Sequence, residues 1–298
     1  MAFFVEVLIG GLLAGVLYSL VALGFVLIFK ASGVFNFAQG AMVLFAALAL
    51  ARLGEVMPLW LAFLLSGAIM VALAFAIERV VLRPLVNQEG IILFMATLGV
   101  TFFLDGFGQT VFGSDIYKID LGLPQDPWFL FEGIFEGGVL VPPIDLVSAA
   151  VAGALVVVLA LFFQKTRTGR ALRAVADDHQ AAQSIGIPLN TIWVIVWAVA
   201  GIVALVAGMM WGAKLGVQFS LQQVALKALP VLILGGFTSV PGAIIGGLII
   251  GAGEKLAEIY VGSELGGGIE NWFAYVLALA FLLFRPQGLF GERIIERV

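Results

Sequence analysis

The 298-residue chain has no cysteine and one histidine, His179. A disulfide framework and thiol chemistry are therefore excluded, and a single histidine without cysteine gives no basis for a metal site. Charge is also scarce. Asp, Glu, Lys and Arg make up 11% of the residues, against about 25% in a soluble domain. No Gly-Lys dipeptide occurs, so there is no phosphate-binding P-loop on this chain. No nucleophile-and-base constellation points to an enzyme. What remains is apolar. Hydrophobic residues reach 62% and the mean hydropathy is +1.14. The charge needed to cover a water-facing surface is missing, so most of the surface must face lipid. The 37 glycines suit helices that pack backbone to backbone in a bilayer.

A bilayer core needs about 20 apolar residues per helix. Nine stretches qualify: 3–29, 34–52, 58–78, 91–112, 144–163, 191–212, 222–235, 241–260 and 270–284. The seventh is short and reads as a half-span or a re-entrant segment, so eight or nine spans are expected. The fold class is all-α, a polytopic transmembrane bundle, with 1–298 as one transmembrane domain. Residues 3–29 follow no Lys or Arg and are too long for a signal-peptide core, so they read as a retained span. Cations cluster after the third span (Arg79, Arg83), the fifth (Lys165, Arg167, Arg170, Arg173) and the last (Arg285, Arg293, Arg297). The positive-inside rule puts all three in the cytoplasm, with the N terminus outside and the C terminus inside. The loop 113–143 then lies outside. It carries Asp115, Asp120, Asp126, Glu132 and Glu136 against Lys118, and its four prolines preclude a continuous helix. It reads either as a solvated connector or as a docking surface for an external partner.

The loop 164–190 is the most polar part of the chain. A helix can start at Thr168 or Gly169 and run to Ile185, with Leu172, Val175, Ala176 and His179 on one face. Gly186 follows as a C-cap and Pro188 stops continuation. Such a helix is a solvated connector, lies flat in the headgroups, or docks into a groove on a soluble protein.

Two apolar stretches are broken by polar and glycine residues. These are Gly33-Val-Phe-Asn-Phe-Ala-Gln-Gly40 and Gly235-Gly-Phe-Thr-Ser-Val-Pro-Gly242. They align at an offset of 202, and this topology puts both on one side of the membrane, as a parallel repeat. Irregular chain in a membrane is tolerated only against protein or water, so paired breaks point to a substrate path. Loops at the cytoplasmic surface remain the alternative. Asn36, Gln39, Gly40, Gly235, Gly236, Thr238 and Ser239 are the path candidates, although their polar groups can equally satisfy helix ends. Asp105 reads as the only acid well inside a span. It is a candidate proton relay or substrate contact, or else a hydrated group near the outer mouth. Lys227, before Pro230, calls for a neighbouring carboxylate or a cavity.

Four motifs, in order, resemble those of the branched-chain amino acid ABC permeases. Asn36-Phe-Ala-Gln-Gly40 is similar to their Asn-Phe-Ala-[His/Gln]-Gly. Thr168-Gly-Arg-Ala171 and Arg285-Pro-Gln-Gly-Leu-Phe290 also match. Gly235–Ala243 resembles their Gly-Gly-x-Gly-[Ser/Thr] segment, with Thr238 where Gly is common. Gln180-Ala-Ala-Gln-Ser-Ile-Gly186 resembles the Glu-Ala-Ala-x-x-x-Gly loop that touches the ATPase subunit, with Gln180 in place of Glu.

The resemblance implies a type II ABC importer-like permease of the family's shorter subunit type, in a bacterial inner membrane. It implies coupling to the ATPase through Arg170, Gln180, Ala181, Ala182 and Gly186. The expected partners are a second permease subunit, two ATP-binding subunits that carry ATP-Mg, and a periplasmic solute-binding protein. Neither cofactor nor nucleic acid is expected on this chain. The solute is a branched-chain amino acid, urea or a short amide. The competing reading is an ion-gradient-driven carrier using Asp105.

Overall fold

The computed structural model describes residues 2–33, 35–85, 88–124, 126–135, 137–177 and 179–291, with only the backbone of Asp177, His179 and Gln180. The side chain of Gln180 and the residues Glu136, Arg293 and Arg297 therefore lie outside the described residues. In chain order the helices are α1 (Ala2–Ser32), α2 (Gln39–Gly54), α3 (Leu59–Ala76), α4 (Gly90–Phe112), α5 (Pro143–Lys165), α6 (Arg167–Asp177), α7 (His179–Ser184), α8 (Leu189–Leu215), α9 (Leu221–Leu226), α10 (Ala228–Gly235), α11 (Val240–Ala257), α12 (Ser263–Leu265) and α13 (Phe273–Phe284). Wider π turns extend α3 over Ile77–Leu82 and α11 over Glu258–Gly262. Six of the resulting helices are long and apolar enough to cross a membrane, and three apolar segments are shorter: Gln39–Gly54, Leu221–Gly235 and Phe273–Phe284. All nine expected stretches are thus helical. The seventh is broken at Lys227, between α9 and α10. Among the described residues the all-α fold also carries an antiparallel hairpin of β1 (Trp128–Leu130) and β2 (Val139–Val141) and an isolated antiparallel bridge between Tyr117 and Val217.

The described residues form two compact units. One comprises Leu23–Leu121 and Val157–Leu226. Its centre is α2, which is buried from Gln39 through Ala51. Helices α3, α4, α8 and α9 pack around it. A helix that is apolar on every side sits in a protein core or in lipid, and α2 is enclosed by protein. It needs no full span length for that: 16 residues at 1.5 Å rise cover about 24 Å, less than the hydrocarbon core. Close approach is set by glycine: a Cβ on Gly208 of α8 would lie 2.5 Å from the carbonyl oxygen of Val43. In this unit the buried Glu78 takes two hydrogen bonds from Arg83, at 3.1 Å each.

The other unit comprises Met1–Ala22, Gly122–Val156 and Lys227–Val298. Here α1 crosses α11 on small residues. A Cβ on Gly11 would lie 2.7 Å from the Gly251 carbonyl oxygen, and one on Gly15 would lie 2.5 Å from that of Gly247. One turn further, the Ser19 hydroxyl bonds the carbonyls of Gly15 (2.8 Å) and Ile244 (3.1 Å). Small residues four apart on both helices let the backbones touch, which is how membrane helices associate when lipid is as apolar as the side chains.

Candidate functional site

The first break sits at the start of α2. Gly33, with φ +67, ends α1. Asn36 then organises the turn: its Oδ1 accepts from the Ala38 amide (3.1 Å) and its Nδ2 donates to Gln39 Oε1 (3.1 Å). Gln39 Nε2 donates to the Ala200 carbonyl on α8 (3.3 Å). Thr97 on α4 donates to the Phe35 carbonyl (3.1 Å) and accepts from the Phe37 amide (3.4 Å). Asn36, Gln39 and Thr97 are fully buried. They supply the partners that backbone freed from helix requires in a bilayer.

Gly40 lets α9 approach, since a Cβ there would lie 3.0 Å from the Gln222 carbonyl oxygen. With its amide nitrogen turned toward Asp105, Gln222 donates to both carboxylate oxygens, at 2.9 and 3.0 Å. Asp105, half-buried on α4, is thereby tied to the same α9 turn that rests on Gly40.

The second break follows α10. Gly236 caps that helix with φ +104, and its amide bonds the Leu232 carbonyl at 2.9 Å. Ser239 is the N-cap of α11, accepting from the Gly242 amide at 3.0 Å. Thr238 is half-buried. The Arg285–Phe290 motif folds back onto this break. The amides of Leu289 and Phe290 donate to the carbonyls of Leu234 (2.8 Å) and Gly235 (3.1 Å). The glycines of both motifs are explained together, because a Cβ on Gly288 would lie 2.7 Å from the Gly236 nitrogen. Two motifs some fifty residues apart in sequence thus form one structure.

Asp105, expected to be the only acid well inside a span, is not the only one among the described residues. Glu254 on α11 is 2% exposed. Lys227 Nζ, at the α9–α10 junction, donates to Glu254 Oε1 at 2.7 Å, and the hydroxyl of buried Tyr18 donates to the same oxygen at 3.2 Å. The expected span ended at 260, which put Glu254 near a helix end beside Lys255. The helical run instead continues to Leu265. The signal that was present was Lys227: a cation in an apolar stretch requires a carboxylate.

The polar loop folds as α6 and α7. Thr166 Oγ1 accepts from the Gly169 amide at 3.0 Å, and a Cβ on Gly169 would collide with the Phe163 carbonyl. Arg173 donates to the carbonyls of Phe163 (2.5 Å) and Gln164 (3.3 Å), and Arg170 donates to that of Lys165 (3.4 Å). These arginines cap the C-terminal carbonyls of α5 and fix α6 to it. Leu172 and Val175 form its buried face, as the spacing predicts. Ala182 is buried and Ala181 exposed, and Gly186, with φ +87, ends α7. Ile185 stands 74% exposed at that end.

Long apolar helices, buried small-residue crossings and polar breaks stitched by side chains define a polytopic helical membrane transport protein. The chain belongs to the family described as branched-chain amino acid transport system / permease component, whose model matches residues 7–285. It is 31% identical to the high-affinity branched-chain amino acid transport system permease protein BraD of Pseudomonas aeruginosa, over 99% of this chain and 98% of the relative. It is 29% identical to the corresponding LivH of Escherichia coli K12, with the same coverage. The probable branched-chain amino acid transport permease protein LivH of Methanocaldococcus jannaschii is 31% identical, over 96% of this chain and 92% of that protein.

Proposed function

We propose that this chain is one of two membrane-spanning subunits of an ATP-driven importer of branched-chain amino acids. The observation that carries this reading is the full-length match to permeases named for that transport. A periplasmic solute-binding protein delivers the solute, and two partner chains bind and hydrolyse ATP-Mg. The chain lies in the inner membrane with its C terminus in the cytoplasm, and α6–α7 is the part that meets an ATPase. Ile185 and Ala181, exposed beside the buried Ala182, give a small apolar knob of the shape that fits a cleft. Arg170 and Arg173 tie α6 to the end of α5, and α7 packs on α6, so a push on α7 is passed through α6 to a transmembrane helix. Each break, at Asn36–Gly40 and at Gly235–Ser239, is taken by itself as a candidate lining of the solute path, because interrupted helices in both halves of a transporter mark such paths.

The test is reconstitution in proteoliposomes with the second permease, both ATPases and the binding protein. Leucine uptake should require ATP and exceed urea and acetamide uptake. Uptake that persists without ATPase subunits, or urea preferred over leucine, would overturn the reading.

A further inference from the structure

The hairpin of β1 and β2 has the wrong outward face for water. Side chains on a two-stranded ribbon alternate between faces, and a ribbon with one face in solvent carries polar residues there. The register pairs Phe129 with Leu140 on one face, and Trp128 with Val141 and Leu130 with Val139 on the other. Val139 and Val141 are buried, while Phe129 and Leu140 are exposed, as is Trp128 at the start of β1. The tip between the strands adds exposed Phe131 and Ile134, the latter at 74%. This tip is a closed turn, with the amides of Ile134 and Phe135 bonded to the Phe131 carbonyl at 2.9 and 3.0 Å. The outward face thus carries apolar side chains from strand to tip, interrupted at the tip by exposed Glu132, and the turn holds it in shape.

Its position says what covers it. The Leu140 amide donates to the Glu6 carboxylate at 3.2 Å, in the second turn of α1. Glu6 lies about 6 Å along the axis from Ala2, where that helix begins. The hairpin is thus fastened to the end of a membrane span. Phe4, on the first turn, lies 6.4 Å from Tyr260, in the π turn that extends α11. Two span ends and the hairpin meet there with Phe, Tyr and Trp exposed, which is the composition of a membrane–water belt. We infer that the described part of the hairpin, 128–135 and 137–141, lies flat in the lipid–water interface of the membrane face where α1 begins, with Phe129, Phe131, Ile134 and Leu140 in the headgroup–acyl boundary. It anchors this end of the unit to lipid and does not dock a soluble protein. Asp126 precedes the apolar residues and Glu132 lies among them, so apolar burial and not attraction to anionic lipid holds it.

The absence of cysteine makes the test direct. A single cysteine placed by Ile134→Cys or Phe129→Cys carries bimane at one known position in the full chain, reconstituted in nanodiscs. Ser184→Cys, exposed at the end of α7, serves as the water reference. The label on the hairpin should sit about 5–10 Å into the boundary. It should lose emission in lipids brominated high in the acyl chain and resist aqueous iodide, in neutral and anionic membranes alike. Two positions guard against a label that disturbs its own site. Iodide quenching equal to that of the Ser184→Cys label, without quenching by brominated lipid, would overturn the inference. So would protection that appears only when a soluble solute-binding protein is added, because the face would then be a protein-docking surface.

Discussion

Replacing Lys227 by Met removes the ammonium 2.7 Å from Glu254 Oε1. The carboxylate left behind is 2% exposed and sits inside a membrane span, with the Tyr18 hydroxyl as its neighbour. Breaking one side of a buried pair costs about 3–5 kcal/mol, because the surviving charge has no opposite charge and no water; here it keeps the Tyr18 hydroxyl alone. Glu254→Gln should cost less, about 1–3 kcal/mol. The Lys227 side chain is 13% exposed, and its flexible stem lets the ammonium seek water. The double variant Lys227→Met/Glu254→Gln removes both charges and keeps both shapes, so it should lie within about 1 kcal/mol of the parent. The cycle then yields a coupling of at least about 3 kcal/mol. Unfolding in mixed micelles titrated with SDS, followed by tryptophan fluorescence, gives all four free energies. Two results refute the reasoning: a Lys227→Met cost of about 0.5 kcal/mol or less, typical of a surface pair, or a double variant as unstable as the sum of the singles.

The α1–α11 crossing makes a second prediction. Gly247→Ala drives a methyl into the Ser19 hydroxyl and the Gly15 carbonyl, and should cost about 1–3 kcal/mol in the same titration. Gly10→Ala, with nothing within 4 Å, should be tolerated, and equal losses at both sites would remove the crossing as the cause. Ser239→Ala deletes the cap on α11 and should lower stability by about 1 kcal/mol, with Ser239→Asp restoring most of it. Ile185→Glu should weaken ATPase association tenfold or more, about 1.4 kcal/mol, in a pull-down from detergent, while thermal stability of the isolated chain stays unchanged.

What was legible in the sequence had a local cause. Helices ended where Gly33, Gly186 and Gly236 take positive φ, and lone glycines after apolar runs announce that. The polar loop showed its buried face through Leu172 and Val175, three residues apart. What was not legible depended on partners far along the chain. Glu254 meets Tyr18 across 236 residues and Lys227 across 27, and no periodicity encodes either. Asn36 and Gln39 read correctly as polar residues at a break. That their amide groups would bond to each other and to the Ala200 carbonyl required α8 to be in place. The hairpin escaped notice because its strands are three residues each, too short for alternation to register between prolines and glycines.

The fold-back of Leu289 and Phe290 onto α10 bears on how the protein is made. The carbonyls of Leu234 and Gly235 find their partners only in residues synthesised about 55 positions later. At about 5–20 residues per second, this helix end waits roughly three to ten seconds after its own synthesis. Over that interval the two carbonyls need water or the insertion machinery, because hydrocarbon offers them nothing. The second break therefore matures last during biogenesis. A truncation just before Arg285 should show as damage at Gly235 rather than as a loss confined to the tail.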